Sequence, residues 1–144
     1  MPTLTLAQAN QILAKALEKA RAMNIKPVTV VVLDDAGYPR AMQREDGASM
    51  FRYDVATGKA WAAVAMGTSS RVVAGRAKDN PNFFITLAAT AHGQFLPQIG
   101  GVLIRDASGA ILGAAGASGG TGEEDEAVCA FGIEQAGLVA DAKA

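Results

Sequence analysis

The stretch GGVLIRDASGAILGAAGASGGTGEEDEAVCAFG, residues 100–132, decides the fold. Residues 99–105 and 110–115 are apolar runs that predict two strands, and the turn at 106–109 predicts that they form a hairpin. A capping-box pattern at 121–124 then predicts the start of a final helix. A hairpin that runs directly into a helix is typical of an antiparallel sheet with helices packed on it, an α+β domain.

The glycine-rich turn before that helix is similar in composition to loops that cradle phosphates, but its charges argue against such a site. Four acidic residues, 123–126, occupy the first helical turn, where they suit the helix dipole and repel a phosphate. The turn has no lysine and lacks the spacing of a Walker loop or a dinucleotide fingerprint. The glycines therefore indicate unusual backbone angles and close approach.

Asp125 lies at the centre of a small-residue face of the final helix. Helical spacing places Cys129, Gly132 and Ala136 on the same face, which we expect to pack on the sheet. Burying an unpaired carboxylate is costly. Asp125 is therefore interpreted as a structural carboxylate that accepts hydrogen bonds from the turn. The backbone donors expected there belong to Ser118, Gly119 and Gly120.

The rest of the chain supplies the other layers of an α+β domain. The predicted elements are a helix that begins at a capping box at residues 5–8, a strand at 28–33, a strand at 38–44, a helix at 49–66, a short helix that starts at 68–70 and an apolar, partly helical segment at 83–91. Pro39 places the second strand at a sheet edge or stands at its start. The order is α-β-β-α-(α)-β-β-α, a central antiparallel sheet flanked by helices, in a single domain of residues 1–144.

The helix at 49–66 is apolar on two sides. One side carries Phe51, Val55, Ala62 and Met66, and the nearly opposite side carries Tyr53, Ala60 and Val64. A helix that is apolar on two sides is buried on both. In a chain this short the second cover is predicted to be another subunit. The sequence thus predicts a homo-oligomer, a dimer or higher, that forms through residues 49–66.

Composition and charge exclude several classes of partner. The 144 residues include 13 basic and 14 acidic ones, so no excess charge favours nucleic acid or an anionic membrane. No signal peptide is apparent and no apolar run approaches the roughly 20 residues that cross a bilayer, which predicts a cytoplasmic location. With one histidine and one cysteine, no metal site is expected.

The candidate ligand-binding residues come from three segments. Arg52 and Lys59 lie on one polar line of the second helix and could clamp a carboxylate; the alternative is a salt bridge between subunits, with Asp54 or Glu45. The only histidine, His92, is suited to bind haem iron or to act as an acid or base, and the alternative is an ordinary loop histidine.

These segments are predicted to meet in one pocket. The Gly-rich turn at 116–122 would supply backbone donors, Lys59 a cation, and the loop at 92–97 apolar surface, including Phe95. Ligand pockets combine a largely apolar lining with a few such polar groups. The expected ligand is anionic and partly apolar.

Three stretches resemble one family. The segment 100–132, DVATGKAWAA at 54–63 and VTVVVLDDAGYPRAMQREDGA at 28–48 are similar to the GlcG/HbpS-like family, also described as haem-degrading or PduO C-terminal-like. The resemblance implies a profilin-like domain that assembles into dimers or larger rings, haem or another tetrapyrrole as a possible ligand, and an accessory role in catabolic operons. Lys59 matches the family's D-x-A-x-x-K-A motif, whereas His92 has no motif position.

Two functions of different classes follow. The first is a small-ligand-binding accessory protein, with haem or another anionic, partly apolar compound as ligand. The alternative is a small-substrate enzyme of a catabolic pathway, which would use Lys59 with His92 or Asp125 on a carboxylate-bearing compound.

Overall fold

A computed structural model describes residues 3–143 of the chain. Within this range ten helices and strands follow one another, with these bounds: α1 (Leu6–Ala22), β1 (Thr29–Asp34), β2 (Pro39–Arg44), α2 (Phe51–Met66), α3 (Ser70–Asp79), α4 (Pro81–Thr90), β3 (Gly101–Arg105), β4 (Ile111–Ser118), α5 (Gly122–Gln135) and β5 (Val139–Asp141).

The strands form one antiparallel sheet in the order β2-β1-β4-β3-β5. Helices α1 and α5 cover one face, where Ile12, Leu13 and Ile133 pack with Val30 and other buried strand residues. Helix α2 covers the other face against a second buried cluster. The predicted α+β class and flanked antiparallel sheet are confirmed.

The element starts follow the sequence signals closely. Both capping boxes are present. The Thr5 side chain accepts a hydrogen bond from the Gln8 backbone N–H, and the Thr121 side chain accepts one from the Glu124 backbone N–H. Strand β2 lies at a sheet edge and begins with Pro39, whose missing N–H makes an interior strand position unfavourable. Two elements exceed the prediction: residues 81–90 form a full helix, and the short strand β5 extends the sheet beyond β3.

The second apolar side of α2 is covered within the chain and not, as predicted, by another subunit. Ala62 packs in a buried cluster with Val73 of α3, Phe84 of α4 and Phe95 of the following loop. Ala60 faces the sheet, where β4 presents Gly116. A charged residue at Ala60 would therefore disrupt the fold itself. Self-association through residues 49–66 stays a prediction, and it now depends on the exposed start of the helix.

The small face of α5 packs on the sheet as predicted at Cys129, but at Gly132 it contacts α1 instead. A Cβ at Gly132 would lie 2.5 Å from the carbonyl oxygen of Ile12, on α1. Cys129, one turn earlier, lies close to the carbonyl oxygen of Gly100 just before β3. The face therefore packs on the sheet, near the start of β3, at one end and on α1 at the other.

Candidate functional site

The site is built around the turn that joins β4 to α5. Strand β4 ends at Ser118 and α5 begins at Gly122, so Gly119 and Gly120 form the connection. Gly119 has φ +154°, and a Cβ there would lie 2.3 Å from the carbonyl oxygen of Pro27. This turn therefore requires glycine because its backbone passes directly over the segment before β1.

A buried ion pair fixes the turn to α2. The Lys59 Nζ donates to Asp125 Oδ2 and to the Ala117 carbonyl oxygen, each at 3.0 Å. The two charged side chains are 7% and 1% exposed. Asp125 Oδ1 accepts from the Gly120 N–H at 3.0 Å, the hydrogen bond that the sequence predicts. Asp125 thus joins the turn to α2, and neither of the partners considered for Lys59 in the sequence is used.

Gly100 and Gly101 make room for Lys59. A Cβ at Gly100 would lie 2.8 Å from Lys59 Nζ, and one at Gly101 would lie 2.3 Å from the Lys59 carbonyl oxygen. The start of β3 therefore approaches α2 closely enough to enclose the ammonium. The adjacent glycines were the sequence signal for this contact, and the sequence reasoning did not use them.

Arg52 lies two helical turns before Lys59 on the same side of α2. Its Nη1 donates to Ser118 Oγ at 2.8 Å. Glu45, a partner considered for it, forms an ion pair with Arg21 instead. Among residues 3–143 no carboxylate forms an ion pair with Arg52, so most of its N–H donors are available to a ligand.

These side chains meet at a cavity of about 360 Å³. The residues that line it come from α2, from the segment before β3 and from the turn into α5: Arg52, Val55, Lys59, Gln98, Ile99, Ser118, Gly120, Gly122, Glu123 and Asp125. Its wall combines the available guanidinium of Arg52, the exposed carboxylate of Glu123, backbone and hydroxyl groups of the turn, and aliphatic surface from Val55 and Ile99. The sequence did not identify four of the lining residues: Val55, Gln98, Ile99 and Glu123.

Two predicted ligand-binding residues lie outside this cavity. His92 is exposed just after α4, with φ +56°. Phe95 is buried in the cluster that covers Ala62, where it stacks on Phe84. Arg52, Lys59, Ser118 and Gly120 are thus brought together, Gly119 lies beside them, and the loop contributes its later residues, Gln98 and Ile99.

A second buried hydroxyl, that of Thr29, lies beside Ser118 in the sheet. Thr29 at the start of β1 is opposite Ser118 in the strand register, so their side chains project from the same face of the sheet. The Thr29 Oγ1 is buried without a hydrogen-bond partner among the described residues. The sheet therefore presents two adjacent hydroxyls beneath the first turn of α2.

The donor set of the cavity fits a carboxylate better than an iron atom. Haem iron takes imidazole, thiolate, thioether or phenolate ligands, and none of these lines the cavity within the described range. Cys129 is fully buried, and burial followed by the negative charge of Asp125 raises the pKa of its thiol far above the usual range. That thiol stays protonated and donates weakly to the Gly100 carbonyl oxygen.

The model of the family described as haem degrading protein HbpS-like matches residues 4–134. The chain belongs to the HbpS-like family. Across residues 3–143 of this HbpS-like chain, no helix is long and apolar enough to span a membrane. Nor do three His, Cys, Asp or Glu side chains gather there as a metal site would require.

Individual relatives cover nearly all of the HbpS-like chain. An uncharacterised 15.0 kDa protein from the dhaT–dhaS intergenic region of Citrobacter freundii is 31% identical over 123 residues, which are 85% of this chain and 84% of that protein. A crystal structure of a PduOC–haem complex is 25% identical with a TM-score of 0.84, covering 95% of this chain and 97% of that one. A double mutant of Streptomyces reticuli HbpS is 28% identical with a TM-score of 0.80, covering 93% and 87%.

Proposed function

We propose that this HbpS-like protein is a small-ligand-binding accessory protein whose ligand is anionic and partly apolar, with haem or a related tetrapyrrole as the first candidate. The observation that carries the proposal is the likeness to the PduOC–haem complex, in which the same fold binds haem. The Citrobacter relative is encoded between the genes dhaT and dhaS. We therefore expect the products of genes next to this protein's own gene to indicate which process it assists.

Arg52 is the group that we assign to the ligand's carboxylate. Its guanidinium spends one N–H on Ser118 and keeps the planar donor pair that carboxylates accept in bidentate form. Lys59 is neutralised by Asp125, so we assign both of them to holding the turn and not to contacting the ligand. Ser118, Gly119 and Gly120 would supply further polar contacts.

The size of the cavity limits which part of a tetrapyrrole it could take. A volume of about 360 Å³ is at the lower end of the roughly 300–1,000 Å³ typical of small-molecule sites. The cavity suits the carboxylate-bearing edge of such a ligand, whereas the ring would extend past Val55 and Ile99. No residue of the cavity is assigned to the iron, and His92 as its ligand is left to experiment.

The enzyme alternative has less support in this geometry. It requires Lys59 to act with His92 or Asp125, yet Lys59 is held in a charge-paired contact and His92 does not line the cavity. Proton transfer needs acid and base within hydrogen-bond reach of the reacting group. The accessible charged groups of the cavity are the Arg52 guanidinium and the Glu123 carboxylate, and neither was part of the enzyme hypothesis.

Titration with haemin tests the ligand proposal. We expect a saturable Soret shift with the purified protein, and a loss of about tenfold or more in affinity for Arg52→Ala, since hydrogen bonds to charged groups contribute roughly 1.5–3 kcal/mol. Arg76→Ala is the matched control because Arg76 is an exposed helical arginine outside this cavity.

The outcomes test the identity of the ligand and the position of its site independently. Absence of a saturable shift would reject haem as the ligand. A shift that Arg52→Ala and Arg76→Ala leave equally unchanged would keep haem and move its site away from Arg52.

We also infer that the protein forms a homo-oligomer, a dimer or higher, through residues 49–66. Met50 and Phe51 are 77% and 64% exposed, which is unusual for large apolar side chains. They directly precede Arg52 in the chain, so a second copy that covered them would lie beside the proposed ligand site.

A further inference from the structure

The turn at Gly119 and Gly120 separates three neighbouring cavities. Besides the cavity described above, one of about 290 Å³ lies between residues 26–27, residues 47–49, Arg52 and Gly119. Another, of about 400 Å³, is lined by residues 24–26, 119–121 and Glu124. Arg52 and Gly120 each line two of the three cavities, so the cavities adjoin one another around the turn, and we call the three together the groove.

The three parts of the groove differ in charge. The Lys59 part contains Glu123 and Asp125, and the part near Asn24 contains Glu124. The middle part, at Lys26 and Arg52, is lined by two cations and by no acidic residue. An anionic group is therefore attracted most strongly to the middle part.

Lys26 is available to a ligand. Its side chain is exposed, and among residues 3–143 no carboxylate forms an ion pair with its ammonium. Arg21 donates to the Lys26 carbonyl oxygen at 3.2 Å, which helps to hold the backbone in place. Lys26, just before β1, and Arg52, in the first turn of α2, thus line one cavity as two cations without protein carboxylate partners.

Backbone geometry gives this middle cavity a defined shape. Gly47, with φ +86°, and Gly119 stand on its walls with Pro27 between them. A Cβ at Gly47 would lie 3.3 Å from the Pro27 ring, and one at Gly119 would clash with the Pro27 carbonyl oxygen. Close packing of this kind preorganises a wall, and preorganisation lowers the entropic cost of binding.

We propose that Lys26 and Arg52 form a second subsite, which binds an acidic group of the ligand while the ligand's body lies across the Gly119–Gly120 turn. The proposal rests on the proposed function and specifies its ligand class: a compound whose carboxylate-bearing edge spans Arg52 and Lys26 and whose apolar body is long enough to reach Val55 and Ile99. Together the three cavities offer about as much space as the larger small-molecule sites, which one cavity alone does not.

Variants of Lys26 test the subsite with haemin as the probe. We expect Lys26→Ala to weaken haemin binding about two- to fivefold, the size of a partly exposed ion pair, and Lys26→Glu to weaken it further. Lys26→Arg should restore the affinity. Lys78→Ala and Lys78→Glu are the controls, because Lys78 is an exposed lysine of α3 that lines none of the three cavities.

A second probe makes the result independent of haem. Amide chemical shifts of the full chain should move at Gly47, Ser49 and Gly119 when glutarate is added, and those of Gly109 and Gly75 should not. Lys26→Glu should abolish the movement. An equal titration with inorganic phosphate separates a carboxylate site from a general oxyanion site, since only the latter would respond equally to both.

The combined outcomes separate the subsite from the proposed function. If haemin binds and the Lys26 variants equal the wild type, the subsite is wrong and haem binding stands. If haemin does not bind but glutarate moves the three amides, haem is wrong and the subsite stands. If phosphate is as effective as glutarate, the carboxylate class is wrong. If neither haemin nor glutarate binds, both proposals fail.

Discussion

Lys59 shows how a single residue can be essential to a site without being available to the ligand. The sequence presents it as a free cation on a helix, whereas the fold encloses it between Gly100, Ala117 and Asp125. A buried charge is tolerated only when it is paired and hydrogen-bonded. The pair with Asp125 satisfies that condition, and in doing so it fixes the distance between α2 and the start of α5.

Removing one member of this pair should strongly destabilise the protein. We expect Asp125→Ala or Lys59→Ala to lower the free energy of unfolding by about 3–5 kcal/mol, because each leaves the opposite charge buried alone. For Asp125→Ala this exceeds the roughly 1–3 kcal/mol that an unpaired turn N–H would cost by itself. Urea unfolding followed by circular dichroism measures the difference.

The double variant Lys59→Ala, Asp125→Ala, compared with the two single variants, provides the control for that interpretation. It removes both charges, so we expect it to be more stable than the sum of the two single variants predicts. Strict additivity would show that the two charges do not interact in solution, and the ion pair would then have no role in holding the turn.

At the scale of helices and strands, the close packing of α5 on α1 depends on a glycine. Gly132 allows α5 to approach the backbone of α1, whereas Gly75 in α3 has open space where a Cβ would be. Both glycines are helical, and Ala has a helix propensity about 1 kcal/mol better than Gly. Replacing Gly132 therefore tests the close packing of the helices, whereas replacing Gly75 tests helix propensity alone.

Alanine at these two glycines should change stability in opposite directions. Gly132→Ala places a Cβ 2.5 Å from the Ile12 carbonyl oxygen, so we expect overpacking to cost about 1–3 kcal/mol. Gly75→Ala should raise stability by about 0.5–1 kcal/mol. Thermal unfolding of the two variants checks this; a stabilised Gly132→Ala would mean that α1 and α5 are farther apart than described.

The sequence predicts elements better than it predicts their partners. Capping boxes, a hairpin turn and β-branched runs are local signals, and the elements that they predict are present within a few residues of the expected bounds. Strand β5 was missed because three residues are too few to show an alternating pattern. The face of Gly132 was correctly identified as closely packed but assigned to the sheet, since helical periodicity gives the direction of a face and not what lies opposite it.

The same limit applies to the candidate site. The sequence places Asp125 in a buried position near the turn because the direction of a side chain on a helix depends only on nearby residues. Its pairing with Lys59 joins positions 66 residues apart, which helical spacing cannot predict. His92 and Phe95 were grouped with the pocket because they are close in sequence to the loop. The polypeptide buries Phe95 beneath α2 and brings Gln98 and Ile99 to the cavity instead.

At the scale of the whole molecule, two exposed apolar surfaces could meet another copy of the chain. One is Met50 and Phe51 at the start of α2. The other is α4, where Phe83 and Ile85 are exposed within a stretch, residues 80–104, that contains no Asp, Glu, Lys or Arg. Interface cores are depleted in charged residues and enriched in aromatic ones, so both surfaces have the composition of an interface.

Substitution of one exposed residue on each surface decides between them. We expect sedimentation of the full chain at micromolar concentration to give a dimer or larger species, and Phe51→Glu to shift it toward monomer because a charge would be buried at the interface. Ile85→Glu is the matched control, since Ile85 is 70% exposed and Phe51 is 64% exposed. If Ile85→Glu dissociates the protein and Phe51→Glu does not, the subunits meet through α4 and the assignment to residues 49–66 is wrong; a monomeric wild-type chain would reject self-association altogether.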